Sequence, residues 1–373
     1  MTGKCSSLTQ LFILCIFLAS LFILHIALPD KAFSEQENRY LAEPPKFSFN
    51  ALFSGKFISG FEDYVTEQFP GRDYWISMKS RTERLLLKTE NNDVFFCSDD
   101  TLISRFEQPD PAIIKTNTDA INKLCENSPG PVYFALIPGA VSIWEEKLPP
   151  KAVTYDQHEL IDRIYSGLNT INADIYSVLE DHDDEYIYYR TDHHWTSLGA
   201  YYGFTGLADA VGFSALPLSE FNPQVVSHDF YGTVYSSSGV RWVKPDSIEM
   251  YVPEPDGLVI NNYPDGTETN GMLYDYSKLD VKDKYAFFLG GNTPMLKIYT
   301  GSKGPVLLVL RDSYFDCLLP FLLPHFSQIH VIDLRYYRLS ISEYIAENRI
   351  DEVLAIYSVD NFTSDAYIFM AGR

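Results

Sequence analysis

Four short apolar runs constrain this chain most: Val132–Ile137, Pro305–Leu310, His330–Leu334 and Val353–Tyr357. Each is shorter than an ordinary helix and rich in β-branched or aromatic residues, so each reads as a strand buried on both faces. Helical patterns stand among them. Pro111 to about Asn127 is amphipathic, with Asp110 placed to cap it and Pro111 at its first position. His158 to Ala173 carries apolar residues at helical spacing, and Ile341 to Asn348 follows a capping Ser340. Strand alternating with helix implies an α/β core. Two further runs, Glu185–Tyr189 and Tyr285–Leu289, read as strands as well. From about Phe213 to Asp280 no helical period survives and Pro and Gly recur, which implies a strand-and-loop insert.

The N-terminal region has a different character. Leu11 to Leu28 is almost wholly apolar, about the minimum length for a spanning helix. It reads as a signal anchor with the bulk of the chain extracytoplasmic, a cleaved signal peptide being the alternative. The expected division is a signal anchor at 1–32, a tether and helical scaffold at 33–110, and an α/β domain at 111–373 with its insert at about 213–280. In the scaffold, Phe57, Phe61, Tyr64 and Val65 fall at helical spacing, and Pro70-Gly71 ends that helix. A second helix is expected from Asp73 to about Lys88, with Trp75, Met78, Leu85 and Leu86 facing inward. Val94–Phe96 and Leu102-Ile103 suggest a hairpin. The net charge of −21 argues against a nucleic-acid partner, since phosphate binding needs a basic face. The five cysteines form no C-x-x-C pair, which argues against a zinc ribbon, and Cys317 is expected as a buried thiol.

The chemistry-bearing residues gather at expected strand ends, where α/β proteins build sites. Asp192-His193-His194 follows the Glu185–Tyr189 run. On an extended backbone Asp192 and His194 project to one side and His193 to the other. An Asp that fixes the tautomer of an imidazole supplies two members of a nucleophilic triad. Ser313 follows the most apolar strand and precedes a short expected helix, a context that can raise a nucleophilic serine out of a sheet. The competing reading is an ordinary helix cap by Asp312 or Ser313. Gly290-Gly291-Asn292 offers oxyanion donors, or simply a tight turn. Metal binding by Asp192, His193 and His194 is disfavoured because neighbouring side chains of an extended chain point apart, and no further metal-ligand spacing is visible. Neither a metal nor another cofactor is called for.

Thr191-Asp192-His193-His194-Trp195 resembles the signature of the DHHW family of exported proteins. Further matching segments, in order, are Glu37-Asn38-Arg39, Gln68–Arg72, Asp229–Gly232, Leu289–Asn292, Asp312–Tyr314 and Asp333–Tyr337. More distantly the arrangement is similar to alginate O-acetyltransferases of the SGNH-like superfamily, which carry an Asp-x-His pair and, much later, a serine at a strand end. That resemblance implies an SGNH-hydrolase-like three-layer α/β fold, with Asp192 orienting, His194 as base and Ser313 as nucleophile. Ordinary SGNH hydrolases place their serine first, so the order here favours acyl transfer. The implied activity is O-acyl, most simply O-acetyl, transfer to a cell-surface polysaccharide. An ester hydrolase or a non-catalytic glycan-binding or assembly protein are the alternatives. The implied partners are a surface glycan, the membrane through residues 11–28, and a membrane protein supplying the acyl donor. Arg335 and Trp144 are candidates for glycan contact, and Arg335 has an equal reading as an ion-paired residue at the core edge.

Overall fold

The computed structural model describes residues 2–252 and 258–373, with side chains from residue 9 onward. Residues 253–257 of the expected insert, and the side chains of Lys4 and Cys5, lie outside the described residues. The chain forms two compact units: the residues through Lys88 together with Gly239–Arg241, and Thr89–Ser238 together with Trp242–Arg373.

The first unit is helical. Helix α1 is Thr2–Ala27, and its segment Thr9–Ala27, with a mean hydropathy of 2.4, is long and apolar enough to cross a membrane. Helices α2 (Phe49–Phe53), α3 (Lys56–Glu67) and α4 (Arg72–Leu85) follow. Gly71 enters the left-handed region at φ +68° and turns the chain between α3 and α4. Glu37 bonds Arg39 at 2.7 Å and Arg72 at 2.5 Å, while Arg39 reaches Glu67 at 2.6 Å. These pairs explain why Glu37–Arg39 and Gln68–Arg72 occur together. The expected inner face of α4 is only partly realised. Trp75 is half-buried, but Met78, Leu85 and Leu86 are exposed, because the helix stops at Leu85 and the turn beyond it packs on nothing in this unit.

The second unit is a mixed α/β fold around an eight-stranded sheet. Its strands are β1 (Val132–Ile137), β2 (Ile171–Ala173), β3 (Val259–Asn262), β4 (Thr269–Asn270), β5 (Met295–Tyr299), β6 (Val306–Arg311), β7 (Gln328–Ile332) and β8 (Glu352–Ser358). Their order is 4-3-5-7-6-8-1-2. Strands β7, β6, β8, β1 and β2 are parallel, and β5, β3 and β4 add an antiparallel edge. Every residue of β1 is buried, as a strand covered on both faces requires. Helices α5 (Pro111–Asn127), α6 (Gln157–Ser166), α7 (Ile175–Glu180), α8 (Ser197–Val211), α9 (Ile341–Asn348) and α10 (Val359–Ser364) accompany the sheet. Asp110 caps α5 and Ser340 caps α9, as their positions in the sequence imply.

Four expectations are corrected. Glu185–Tyr189 is not a ladder strand; it makes one isolated bridge, Tyr188 to Trp195, because Tyr188 and Tyr189 spend their rings on the core rather than on a pleated surface. Tyr285–Leu289 falls in a 3-10 helix, Lys284–Phe287, and ends where Leu289 takes a φ of +60° that no strand continues. The helix expected over 158–173 stops at Ser166, and Ile171–Ala173 pairs with β1 instead. The insert is less separate than expected. Asn222–Phe230 and Asp246–Val252 form their own antiparallel pair, whereas β3 and β4 extend the main sheet.

Registry aligns the sheet's working edge. Arg311 pairs with Ile356, and Ser358 with Ile137. The C-terminal ends of β6, β8 and β1 therefore deliver Asp312-Ser313, Ser358 and Pro138-Gly139 to one edge, where open α/β sheets bind ligands.

Candidate active site

Residues 190–195 bend tightly between two anchors. Asp246, fully buried, accepts from Arg190 N at 3.0 Å, from Thr191 N at 2.9 Å and from Thr191 Oγ1 at 2.5 Å. At the other end Trp195 Nε1 donates to the Tyr314 carbonyl at 2.8 Å, tying this loop to the turn that carries Ser313. Within the bend Asp192 Oδ1 accepts from His194 N at 3.1 Å and from His194 Nδ1 at 2.5 Å. Asp192 and His194 thus meet because the backbone turns, not because it is extended. For the same reason His193 is not directed away, as an extended chain would have it. Its ring lies 3.9 Å from that of His194, centroid to centroid.

Ser313 stands at the start of a 3-10 helix, Ser313–Cys317, just past β6. The cap is Asp312, whose Oδ1 accepts from Tyr314 N at 3.0 Å. Asp312 Oδ2 accepts from Ser358 N and Ser358 Oγ at 2.7 Å each and from Asn361 Nδ2 at 2.8 Å, so the carboxylate locks the end of β6 to the end of β8. With capping assigned to Asp312, the Ser313 hydroxyl is left for other work. Ser313 is half-buried, and its Oγ lies 2.8 Å from His194 Nε2 across 119 residues of sequence.

Proton counting orders this line. An ionised Asp192 can only accept, so His194 Nδ1 carries the hydrogen and Nε2 holds the lone pair toward the Ser313 O–H. Burial would raise the Asp192 pKa, but the His193 and His194 charges, with the hydrogen bonds from His194 and the Thr233 amide, hold it far below the usual carboxylate range. His194 is pushed down to about 4, first by burial and then by the His193 charge, against the pull of Asp192. The base is therefore neutral at ordinary pH. Tyr285 stacks on its free face with centroids 3.7 Å apart and planes 9° from parallel, and donates to the Ser313 carbonyl at 3.1 Å.

Two participants carried no motif of their own, Thr233 and Tyr285. Thr233 donates to Asp192 Oδ2 through its amide at 2.7 Å and its hydroxyl at 2.9 Å. Gly232 permits that approach, since a Cβ there would overlap the Asp192 side chain. The Asp229–Gly232 segment was a signal for this pair, but nothing in it names Thr233. Tyr285 was concealed by the strand reading, whereas Asp312, one of the two caps the sequence offered, takes that role here.

The other sequence candidates fare unevenly. Trp144 is fully buried and packs edge-on against Tyr188, with Lys147 Nζ 3.2 Å from its ring centre, so it has no face for a sugar. This corrects its assignment to glycan contact. Gly290 and Gly291 have φ of +76° and +101°, and Gly291 N–H already donates to the Phe288 carbonyl at 3.4 Å, which is turn behaviour. Asn292 Oδ1 accepts from Arg335 Nη2 at 3.3 Å. Arg335 is clamped by Asp333 through two bonds of 3.0 and 2.7 Å, the ion-paired reading of that residue. Asp192, His193 and His194 place potential ligand atoms within 4.8 Å of one another, so the sequence argument against metal, that these side chains diverge, does not hold. Their hydrogen bonds provide a different account: His194 Nδ1 and both Asp192 oxygens are engaged, and His193 Nδ1 lies 2.6 Å from Thr233 Oγ1.

Comparison with known proteins identifies solved structures of similar fold. A crystal structure of a DHHW family protein from Eubacterium siraeum DSM 15702 is similar, with a TM-score of 0.67 and 26% identity over 75% of this chain and 95% of that one. The structure of Bacillus cereus PatB1 is similar with a TM-score of 0.59 and 21% identity, over 73% of this chain and 97% of that one. The O-acetyltransferase domain of Pseudomonas putida AlgJ gives a TM-score of 0.46 at 13% identity, over 75% of this chain and 98% of that one. A search of curated proteins finds no match. The family profile described as DHHW protein matches residues 127–332, which include the bend at Asp192–Trp195 and the Ser313 turn. The chain belongs to the DHHW family.

Proposed function

We propose that this protein is an O-acyltransferase with an SGNH-like three-layer core, in which Ser313, His194 and Asp192 act as a nucleophilic triad. The observation that carries the reading is the unbroken line from Ser313 Oγ to His194 Nε2, and from His194 Nδ1 to Asp192 Oδ1, at 2.8 and 2.5 Å. Ser313 Oγ attacks the acyl carbon of an ester while His194 takes the hydroxyl proton. The tetrahedral intermediate then expels the donor alkoxide, which leaves with that proton, and the acyl group stays on Ser313. A hydroxyl of a glycan next attacks the acyl-serine and gives its proton to His194. Collapse restores the Ser313 hydroxyl and releases the acylated glycan.

Water in the second half-reaction makes the protein an esterase, so hydrolysis is the competing outcome of the same site. The Ser313 amide, at the first position of its helix, has no acceptor within that helix and is the nearest oxyanion donor. Asn292, through its side-chain amide nitrogen, and the Gly290 amide are the further candidates. Helix α1 is proposed as a membrane anchor that keeps the catalytic unit beside a surface polysaccharide and beside a membrane protein that supplies acyl groups.

The test is acetyl-ester cleavage by the full chain in detergent, with a chromogenic substrate. Ser313→Ala and His194→Ala are each expected to lower kcat by about a thousandfold or more. The surface variant His228→Ala is expected to match wild type. Equal rates in all four proteins would overturn the triad.

A further inference from the structure

A cavity of about 180 Å³ adjoins the Asp192–His193 bend, lined in part by His193, Asp360, Gly139, Val141 and Val234. That volume is below the usual range for drug-sized ligands and suits a single small ring. The polar groups facing it can be assigned by counting hydrogens. Thr233 has one hydroxyl hydrogen, and the ionised Asp192 beside it can only accept, at 2.9 Å. Thr233 Oγ1 must therefore accept from His193 Nδ1, 2.6 Å away, which puts the hydrogen of a neutral His193 on Nδ1. The lone pair then sits on Nε2, at the opposite edge of a side chain 39% exposed, and Nε2 has no partner among the described residues.

Asp360 supplies a second acceptor. Gln157, fully buried, takes the Gly139 amide on its carbonyl oxygen at 2.7 Å. Burial raises the Asp360 pKa, while the His193 charge and the Gln157 side-chain amide favour the ionised form. Asp360 is thus backed by an amide yet keeps oxygens for a ligand. The site presents an imidazole nitrogen and a carboxylate, both acceptors, against apolar walls from Val141 and Val234. Its complement is a compact molecule with hydroxyl donors on an edge and C–H groups on its faces.

We propose that this cavity is the acceptor subsite, holding one neutral pyranose ring whose hydroxyls donate to His193 Nε2 and to the Asp360 carboxylate. The inference rests on the acyltransferase reading for its place in the reaction, because His193, whose ring centre lies 3.9 Å from that of His194, holds the sugar next to the base. The first histidine of the motif, His193, is here a binding residue, distinct from the base His194 that precedes Trp195.

The test separates binding from catalysis. Full-length Ser313→Ala, which cannot form an acyl-enzyme, is titrated in detergent with methyl glucoside, methyl galactoside, methyl mannoside and methyl glucosaminide. Binding is followed by saturation-transfer NMR. At least one neutral glycoside is expected to bind saturably, with Kd raised tenfold or more by a second substitution, Asp360→Ala or His193→Phe. The phenyl ring keeps a ring beside His194 while removing the Nε2 lone pair together with the Nδ1–H bond to Thr233, and near-UV circular dichroism reports whether each variant is folded. No binding by any neutral glycoside, binding of the glucosaminide alone, or binding unchanged by both folded variants would overturn the subsite. Ester cleavage by the wild type reads the triad separately, so sugar binding without esterase activity would refute the acyltransferase and not the sugar site.

Discussion

Tyr285 lies flat against His194, their ring centroids 3.7 Å apart, and the His193 ring lies tilted at 35° with its centre 3.9 Å away. The imidazole sits in a slot formed with these rings and cannot flip without losing the Tyr285 stack. Its two nitrogens stay committed, one to Asp192 and one to Ser313. The same slot removes water from the ring and so disfavours the imidazolium.

The acid limb of activity should therefore lie unusually low. Burial, with the His193 charge, lowers the His194 pKa to about 4, and the base works only when neutral. Catalysis should be lost as pH falls through about 4, and should be flat across the region near 6.5 where an unperturbed histidine titrates. A pH profile of kcat/KM on the acetyl ester checks this, and an acid limb near 6.5 would contradict the burial argument.

Thr233→Val should weaken the anion that supports His194. It deletes the hydroxyl bond to Asp192 Oδ2 and spares the amide bond. Hydrogen bonds to charged groups contribute about 1.5–3 kcal/mol, so kcat/KM should fall roughly tenfold to a hundredfold. Thr233→Ser, which keeps the hydroxyl, should recover most of it. Steady-state kinetics on the two variants decides.

Gly232→Ala should damage activity more than stability. The new methyl would overlap Cβ and Oδ2 of Asp192, so the carboxylate must shift away from His194. A loss in kcat of about a hundredfold is expected, on the scale of a misplaced catalytic group. Thermal denaturation of the same sample should show a smaller change, of about 1 kcal/mol, the low end of the overpacking range, against the roughly 2.7 kcal/mol that a hundredfold in kcat represents.

Asp312→Ala, by contrast, should fail as a fold. The buried carboxylate accepts from Tyr314 N, Ser358 N, Ser358 Oγ and Asn361 Nδ2, and its removal strands those donors at the sheet edge. A loss of roughly 3–5 kcal/mol follows if the site behaves as a broken buried charge network. Urea unfolding of wild type and variant measures it, and an unchanged midpoint would refute the role.

Much of this was legible in residue types. The fully apolar runs at Val132, Val306 and Val353 became central parallel strands because nothing else buries both faces of so short a segment. Asp192, His194 and Ser313 could be named from their places beside turns and strand ends, and the structure brings all three together. The misreadings share a cause. Tyr188, Tyr189 and Tyr285 carry high strand propensity, but the first two rings fill the core and the third stacks on His194, so tertiary packing overrode the local preference. Trp144 invited a surface role because aromatic rings suit sugars, yet so large a ring also fills a core. Thr233 was invisible because its value lies in meeting Asp192 across 41 residues, and no local pattern encodes that distance.

The Asp312 clamp also sets when the site comes into being. The serine is aimed by a carboxylate whose other partners arrive 46 and 49 residues later, and its base comes from 119 residues earlier. A nascent chain, or one folded only as far as β7, holds every reactive group but lacks the Ser358 and Asn361 bonds that fix Asp312 beside the serine. Docking of β8 is thus a latch on the Ser313 turn, and a chain clipped short of Ser358 should be inert rather than merely slow.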